Sequence, residues 1–498
     1  MSIIKKGITS MSTYDVVIIG AGVTGTGIAR ELSKYQLKTL LLDKENDVSR
    51  ATSKANSGIV HAGYDPLPGT KRAKLNVLGC KRIHDLAKER NYHYRNIGSL
   101  VVGSTLEDHK KINELYERGR KNEVPDRKLL KTSSEVHKRE PNLAKEIDYA
   151  LYAPSAGVVY PWELVLARGN TAVKNGVVFS RDSKVIDITK DENGIFHIKT
   201  KKEEFLSKTV INAAGLYADE IYKMVLKDKK DDAFDITPVR GEYYLLDKEE
   251  GNFVSHVIFQ TPTSLGKGVL VSPTADGNLI VGPDANENIE GKDDLGNTND
   301  ALAYIRNRSA RSVPNVNFRN NIRNFAGNRA TIKGREDFLI EESKIVKGFI
   351  NFAGIKSPGL TSGPAMGIEA VSILKEMGIN LEKKKDFSYF RLPGYFSEKS
   401  LKEKEDLIEK NPLYGQRICR CETVTEGEIL DTFSWPIPPC SIDGIKRRTN
   451  AGRGRCQGGF CGPKVFDILL NNLHVPFNEI YQDKTGSQVV VEKTKEGK

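Results

Sequence analysis

Four of the six cysteines stand as two close pairs near the C-terminus, Cys419-Arg-Cys421 and Cys456-Gln-Gly-Gly-Phe-Cys461. Four thiolates are the usual ligand set of a [2Fe–2S] cluster. Gly458 and Gly459 let the backbone fold tightly around the sulfurs. Structural zinc is the alternative, but a C-x-C pair such as Cys419/Cys421 is unusual for zinc. Arg417, Arg420 and Arg455 flank the ligands with charge that raises a cluster's potential. Cys80 and Cys440 lie apart from the pairs and read as bystanders. Six cysteines in a chain of 498 residues do not form a disulfide framework.

At the other end of the chain stands Tyr14-Asp-Val-Val-Ile-Ile-Gly20-Ala-Gly22-Val-Thr-Gly25. Tyr14 to Gly20 reads as a buried parallel strand, Val23 to Tyr35 as a helix and Lys38 to Asp43 as a second strand. In that context the glycines predict a tight turn and close approach of a dinucleotide pyrophosphate to a helix N-terminus. Asp43 ends the second strand, where an acid accepts hydrogen bonds from the adenosine ribose. A redox nucleotide site and an iron–sulfur site in one chain point to an enzyme that takes electrons from a substrate and passes them on.

Two further strands end in small residues, Thr209-Val-Ile-Asn-Ala-Ala-Gly215 and Gly348-Phe-Ile-Asn-Phe-Ala-Gly354. The second leads through Ile355-Lys-Ser-Pro-Gly359 into a helix reaching about Met377. Three separated strand-to-glycine junctions predict a discontinuous nucleotide domain with a second domain inserted. Runs such as Gly241-Glu-Tyr-Tyr-Leu-Leu and Lys267-Gly-Val-Leu-Val supply strands of that insert.

The fold class expected is α/β: a Rossmann-like dinucleotide-binding domain, which the resemblance given below implies to be FAD-binding, an inserted mixed-sheet substrate domain and a small helical C-terminal [2Fe–2S] domain. The same resemblance implies a core over residues 12–380, with nucleotide segments at about 12–85, 150–232 and 325–380 and substrate segments at about 86–149 and 233–324. Residues 381–415 read as a charged linker that leaves the module 416–475 separable, and 476–498 as a tail, polar and disordered after about Asp483.

Bulk properties narrow the class. No run of about 18 apolar residues occurs, so no transmembrane helix is expected. Net charge is +11 and the pI about 9.1, read as a lysine-rich solvated surface or as attraction to anionic substrates and membrane faces. No basic helix or aromatic–basic platform argues for nucleic acid. Met1 to Ser12 lacks the apolar core of a secretory signal and reads as an organelle presequence or an extension before Met11. A cytoplasmic location, open to peripheral membrane contact, is expected.

These pieces resemble the FAD-dependent glycerol-3-phosphate dehydrogenase and oxidase group of the D-amino-acid-oxidase-like flavoproteins. The landmarks are Gly20-Ala-Gly22-Val-Thr-Gly25, Asn56-Ser57-Gly-Ile-Val-His61-Ala-Gly63, Val210-Ile-Asn-Ala-Ala-Gly215, Lys267-Gly-Val-Leu-Val, Phe325-Ala-Gly-Asn-Arg329 and Gly354-Ile-Lys-Ser357-Pro-Gly359. Ile418-Cys-Arg-Cys-Glu, and Asp443-Gly-Ile-Lys-Arg-Arg-Thr through Cys461-Gly-Pro, resemble the small domain first known from bacterioferritin-associated ferredoxin. The anaerobic type of glycerol-3-phosphate dehydrogenase shares this two-part layout. Arg329-Ala departs from an Arg-Pro pair frequent in the group, and Asp43 stands where glutamate is commoner.

The resemblance implies oxidation of sn-glycerol 3-phosphate to dihydroxyacetone phosphate, with electrons leaving FAD through the cluster to a partner subunit or quinone. His61 is the expected base, a histidine having the pKa for that work near neutrality. Lys267 and Arg329 would bind the phosphate, with Ser57 and Ser357 donating hydrogen bonds to substrate or flavin. FAD would be held by Gly20, Gly22, Val23, Thr24 and Gly25, by Asp43 and Lys44, and by Ser57 and Gly58. Val185, Ala214 and Gly215 follow, and then Gly354, Lys356, Gly359, Leu360 and Thr361. The helix after Gly359 would point its positive end at the pyrimidine side of the flavin. Cys419, Cys421, Cys456 and Cys461 would ligate the cluster. Alternatives sharing the glycine motifs are oxidation of a 2-hydroxyacid such as 2-hydroxyglutarate or of an imino acid. A peroxide-forming oxidase and a non-catalytic FAD electron-transfer subunit also share them.

Overall fold

The computed structural model describes residues 13–228, 230–262, 268–492 and 494–495, without the side chains of 88–90 and 230. Lys267 and Met1 to Ser12 lie outside the described residues, and with them the expectations made there. The apolar run Tyr14–Ile19 is the centre of an eight-stranded sheet, with Thr39–Leu42 and Glu204–Asn212 parallel on either side. Phe349–Ala353 lies parallel to the end of Glu204–Asn212. Val17, Ile18, Leu41, Ile211 and Phe352 are fully buried, as a parallel strand covered on both faces requires.

Register decides what these strands present together. Ile19 pairs with Leu42 and Asn212, and Asn212 in turn with Asn351. The Asn212 and Asn351 side chains join in a buried hydrogen bond of 2.9 Å. The strand-to-glycine junctions after Ile19, Asn212 and Ala353 therefore meet at one carboxyl edge, where open α/β sheets bind ligands. Helix Val23–Leu32 is buried almost all round and packs against helices Pro161–Lys174 and Gly359–Glu376. Gly27 permits that contact, since a Cβ there would stand 2.5 Å from the Gly363 carbonyl oxygen.

The second sheet also has eight strands, and its longest pair is antiparallel Ile236–Leu246 with Asn321–Ile332. Tyr149–Ala153 pairs within this sheet as well. Two expected boundaries therefore move: the nucleotide segments resume after Ala153 and after Ile332, not at 150 and 325. A hydrophobic pattern marks a strand, but its hydrogen-bonding partner decides its sheet.

The C-terminal module has strands Arg417–Cys419 and Val424–Thr425 and helices Glu426–Asp431, Ile442–Thr449 and Gly462–Leu473. The expectation of a loosely tethered, separable module does not match its packing. Arg448 makes two hydrogen bonds to fully buried Asp47, at 2.8 and 2.9 Å, and Arg447 adds a third at 2.8 Å. The segment expected to be a free linker buries Leu392 against the core and Phe396 beside Tyr414. The tail is held down at Asp483, where disorder was expected to begin, by pairing of its carboxylate with Arg50, Lys54 and Arg447. Ion pairs between distant segments hold both stretches down, and local composition carries no trace of them.

Candidate active site and cysteine centre

The carboxyl edge of the first sheet opens into a cavity of about 380 Å³ bounded by both large sheets. Gly22, Val23 and Thr24 line it at one end, and Lys356, Ser357, Gly359 and Leu360 at another. Ser57, His61, Gly215 and Arg329 complete the set of expected residues in its wall. The cavity thus gathers expected residues from the three segments assigned to nucleotide binding, about 12–85, 150–232 and 325–380.

Other expected residues stand behind the wall. Gly25 packs on the glycine turn, where a Cβ would collide with the Gly20 carbonyl oxygen at 1.8 Å. Asp43 braces the same turn, accepting the Ala21 and Glu45 amides at 2.5 and 2.9 Å. Burial pushes its carboxyl up to about 6. Lys44 sits 3.6 Å from the Tyr217 ring centroid. Val185 begins a strand of the first sheet, and Ala214 and Gly354 lie at strand ends. Gly58 lines an adjoining smaller cavity. Thr361 does not face the cavity with its hydroxyl: that group is buried, accepts the His61 amide at 3.0 Å and donates to the Ile59 carbonyl at 3.2 Å.

His61 follows the short strand Ile59–Val60, which pairs with Gly157–Val159. Asn56 shapes the preceding loop by donating to the Thr52 and Ser53 carbonyls and accepting the Gly58 amide at 2.9 Å. The His61 backbone is pinned on its other side by the Asn76 side chain, which donates to its carbonyl at 2.7 Å. The imidazole stacks on Phe259, centroids 5.7 Å apart, and its Nε2 lies 3.4 Å from Ser357 Oγ. Imidazole and hydroxyl thus share one corner of the cavity.

The cations come from three directions. Arg329 projects from the Asn321–Ile332 strand and donates to the Asp284 carbonyl at 3.1 Å. It also hydrogen-bonds Tyr243, whose hydroxyl burial pushes up against the opposing pull of that guanidinium. Lys356 and Arg72 both approach Glu336 at 3.7 Å, and Arg72 Nε donates to the Ser357 carbonyl at 2.9 Å. Arg72, Tyr243, Phe259 and Glu336 line the cavity but stand in no motif, so sequence reading passed over them. Tyr243 alone had a signal, being inside the strand-like Gly241-Glu-Tyr-Tyr run. Lys333 and Arg335, near Arg329 in sequence, point outward and are exposed.

Two features fit FAD. Helices Val23–Leu32 and Gly359–Glu376 both start at the cavity, and neither N-cap residue, Gly22 or Pro358, supplies a side-chain cap; Ser53 Oγ accepts the Val23 amide at 2.9 Å. These N-termini suit an anionic diphosphate at the first and the electron-rich pyrimidine edge of a flavin at the second.

The four cysteines also fit their cluster. Cys421 Sγ lies 3.7 Å from Cys456 Sγ, and Cys419 hydrogen-bonds Cys461. Among the described residues, no three His, Cys, Asp or Glu side chains converge as for a single metal ion. Two pairs are what a two-iron cluster takes, two thiolates to each iron. The Cys461 contact and the Gly452 and Glu422 amides outweigh burial and pull Cys419 down to about 6. Amides of Phe460 and Gly458 lower Cys456 in the same way. Cys419 and Cys461 are buried, whereas Cys421 and Cys456 face outward.

Residues 15–373 match the family described as FAD dependent oxidoreductase. The chain belongs to that family. Residues 417–470 match the BFD-like [2Fe-2S] binding domain, so this oxidoreductase holds FAD in its core and a [2Fe–2S] cluster in its module. It is 46% identical over 483 residues, 97% of this chain and 99% of the relative, to the glycerol 3-phosphate dehydrogenase of Caloramator mitchellensis. It is 35% identical to the glycerol 3-phosphate oxidase of Mycoplasma genitalium over 76% of this chain and 98% of that relative. Among solved structures it resembles the dithionite-reduced L-alpha-glycerophosphate oxidase of Mycoplasma pneumoniae with FAD bound. The TM-score is 0.72 and the identity 33%, over 77% of this chain and all of that one. Among the described residues, no helix is long and apolar enough to cross a membrane.

Proposed function

We propose that this oxidoreductase converts sn-glycerol 3-phosphate to dihydroxyacetone phosphate and sends the electrons through its cluster to an external acceptor. The observation that carries this reading is a single cavity holding His61 and three cations, Arg329, Lys356 and Arg72. A base beside several cations suits a phosphorylated secondary alcohol, because a phosphomonoester dianion calls for at least two positive partners. The names of the relatives support the same substrate.

FAD, when bound, supplies the two-electron acceptor for the hydride on C2 of the substrate. His61 Nε2 takes the C2 hydroxyl proton, and Ser357 Oγ, 3.4 Å away, shares that hydrogen bond. Thr361, Asn76 and Phe259 hold the imidazole in place, so little reorganisation is left for the reaction. Arg329 is held by Asp284 and Tyr243 and receives the phosphate. Lys356 and Arg72 are balanced in the free cavity by Glu336, a mostly exposed carboxylate that the incoming phosphate displaces. Ser57 and Gly22 to Gly25 hold the cofactor.

The acceptor, a protein or a quinone, meets the outward face of the cluster at Cys421 and Cys456, beside Arg420 and half-exposed Phe460. A peroxide-forming reaction is less well supported: the oxidase relative is spanned almost whole by about three quarters of this chain, and the dehydrogenase relative by nearly all of it.

The test is anaerobic addition of glycerol 3-phosphate, L-2-hydroxyglutarate and glycine to purified holoenzyme, with product analysis. Glycerol 3-phosphate should bleach the flavin fastest and yield dihydroxyacetone phosphate. Far faster bleaching by 2-hydroxyglutarate would assign the cavity to hydroxyacids.

A further inference from the structure

A smaller cavity of about 180 Å³ adjoins the flavin cavity and shares Ala55, Asn56 and Ser57 with it. Its walls include Tyr160 and Trp162 of the core and Arg453 and Gln457 of the cysteine module. Arg453 is buried at this junction, and its guanidinium pairs with Asp276 of the substrate domain: Nη2 donates to Oδ1 at 2.9 Å and Nη1 lies 2.7 Å from Oδ2 in an ion pair. Its Cζ also lies 4.3 Å from the Tyr160 ring centroid and 4.8 Å from that of Trp162. Those two rings are themselves 4.9 Å apart.

The backbone on either side of Arg453 touches the cysteines. A Cβ on Gly452 would stand 3.9 Å from Cys461 Sγ, and one on Gly454 only 2.3 Å from Cys421 Cβ. Cys456 follows three residues after Arg453. One side chain therefore joins both cysteine pairs, the substrate domain and the aromatic wall beside the flavin cavity. Only a planar, forked cation can pair with a carboxylate through two bonds while lying on aromatic rings; a lysine makes one contact or the other.

We propose that Arg453 is a positioning residue for electron transfer from flavin to cluster, seating the cysteine loops against Tyr160 and Trp162. The proposal rests on the reading that electrons pass through the cluster. Reduced FAD is the donor and the oxidised cluster takes one electron. The second electron follows once the cluster has passed its own to a one-electron oxidant such as ferricenium. Transfer rates fall steeply with separation, so loosening this seat slows the step without touching His61 or the substrate cations.

The test compares wild type with Arg453→Lys and Asp276→Asn by anaerobic stopped-flow with glycerol 3-phosphate, following flavin and cluster absorbance separately. Cluster loading is checked by electron paramagnetic resonance of dithionite-reduced protein, and amide exchange is measured without substrate. Flavin bleaching should keep its wild-type rate in both variants. Cluster reduction should slow by roughly ten- to a hundredfold, the scale on which small misplacements slow a positioned reaction. Amide exchange over residues 450–458 should quicken in both. Trp162→Leu, which lies in the core, provides the same comparison if the other two variants do not load the cluster. Cluster reduction at the wild-type rate in loaded variants overturns the proposal, as does equal slowing of flavin and cluster. A wild-type cluster that stays oxidised while flavin bleaches overturns the electron-path reading itself, and the proposal with it.

Discussion

The flavin cavity is assembled from residues between Gly22 and Leu360, whereas the cysteine centre is made of two short loops between Cys419 and Cys461. The first is deep, and its charges come from separate strands and helices. The second is shallow, with two sulfurs buried and two exposed. The difference follows from the chemistry each must do. Proton removal and phosphate binding need groups converging from several sides of an enclosed space. A one-electron carrier needs thiolates, a few amides and one face toward its acceptor. The cavity therefore depends on tertiary packing, and the cluster loops on local backbone geometry.

Substitutions can separate the two regions. The largest effect is expected from Cys456→Ser, which removes a cluster ligand. Turnover with the cluster-dependent acceptor should fall to background, while substrate still bleaches the flavin at the wild-type rate. Loss of both in a folded protein would mean that the two regions are not independent. His61→Asn acts on the other region: turnover should fall by ~10²–10⁴ with FAD and cluster retained. A near-normal rate would return His61 to a packing role.

The interface between the regions comes next. Asp47→Ala leaves Arg447 and Arg448 buried without their shared carboxylate, and should cost about 3–5 kcal/mol in denaturant unfolding. A much smaller loss would show the module to be loosely docked after all. Arg329→Ala removes a charged hydrogen-bonding partner of the substrate, worth about 1.5–3 kcal/mol, and should appear mainly in KM. An unchanged KM for glycerol 3-phosphate would take Arg329 out of the phosphate site.

The smallest effect is pH-dependent. Burial disfavours the Asp47 charge, but the guanidiniums of Arg448 and Arg447 overcome this and hold its carboxyl far below the ordinary value of 3.8. A depressed acid contributes stability that is complete above 3.8 and is lost as pH falls below it. Thermal unfolding from pH 7 down to 3 should therefore show a steeper acid loss in the wild type than in Asp47→Asn. Parallel curves would remove Asp47 from the docking contribution.

The sequence made the local features legible. The glycine turn, the His61 loop and the cysteine pairs are all set by neighbours in the chain, and the strand–helix–strand around the glycines forms as its pattern implied. Arg72 and Glu336 were not legible, because only the approach of helix 71–90 and of the loop after strand 321–332 to Ser357 and Lys356 brings them into the cavity. Asp276 and Arg453 were missed for the same reason: they are partners 177 residues apart. The linker looked free because its anchor Glu163, which accepts the Tyr395 hydroxyl, is remote in sequence. The contact of the Thr361 hydroxyl with the His61 amide, 300 residues apart, is likewise shown by no motif.

The central claim is that substrate electrons enter at the flavin cavity and leave through the cysteine module. Its most direct test is to mix anaerobic, oxidised holoenzyme with excess glycerol 3-phosphate, freeze it after flavin bleaching and record electron paramagnetic resonance. The account predicts the signal of a reduced [2Fe–2S] cluster, absent without substrate and absent from Cys456→Ser. A bleached flavin beside a cluster that remains oxidised would contradict it.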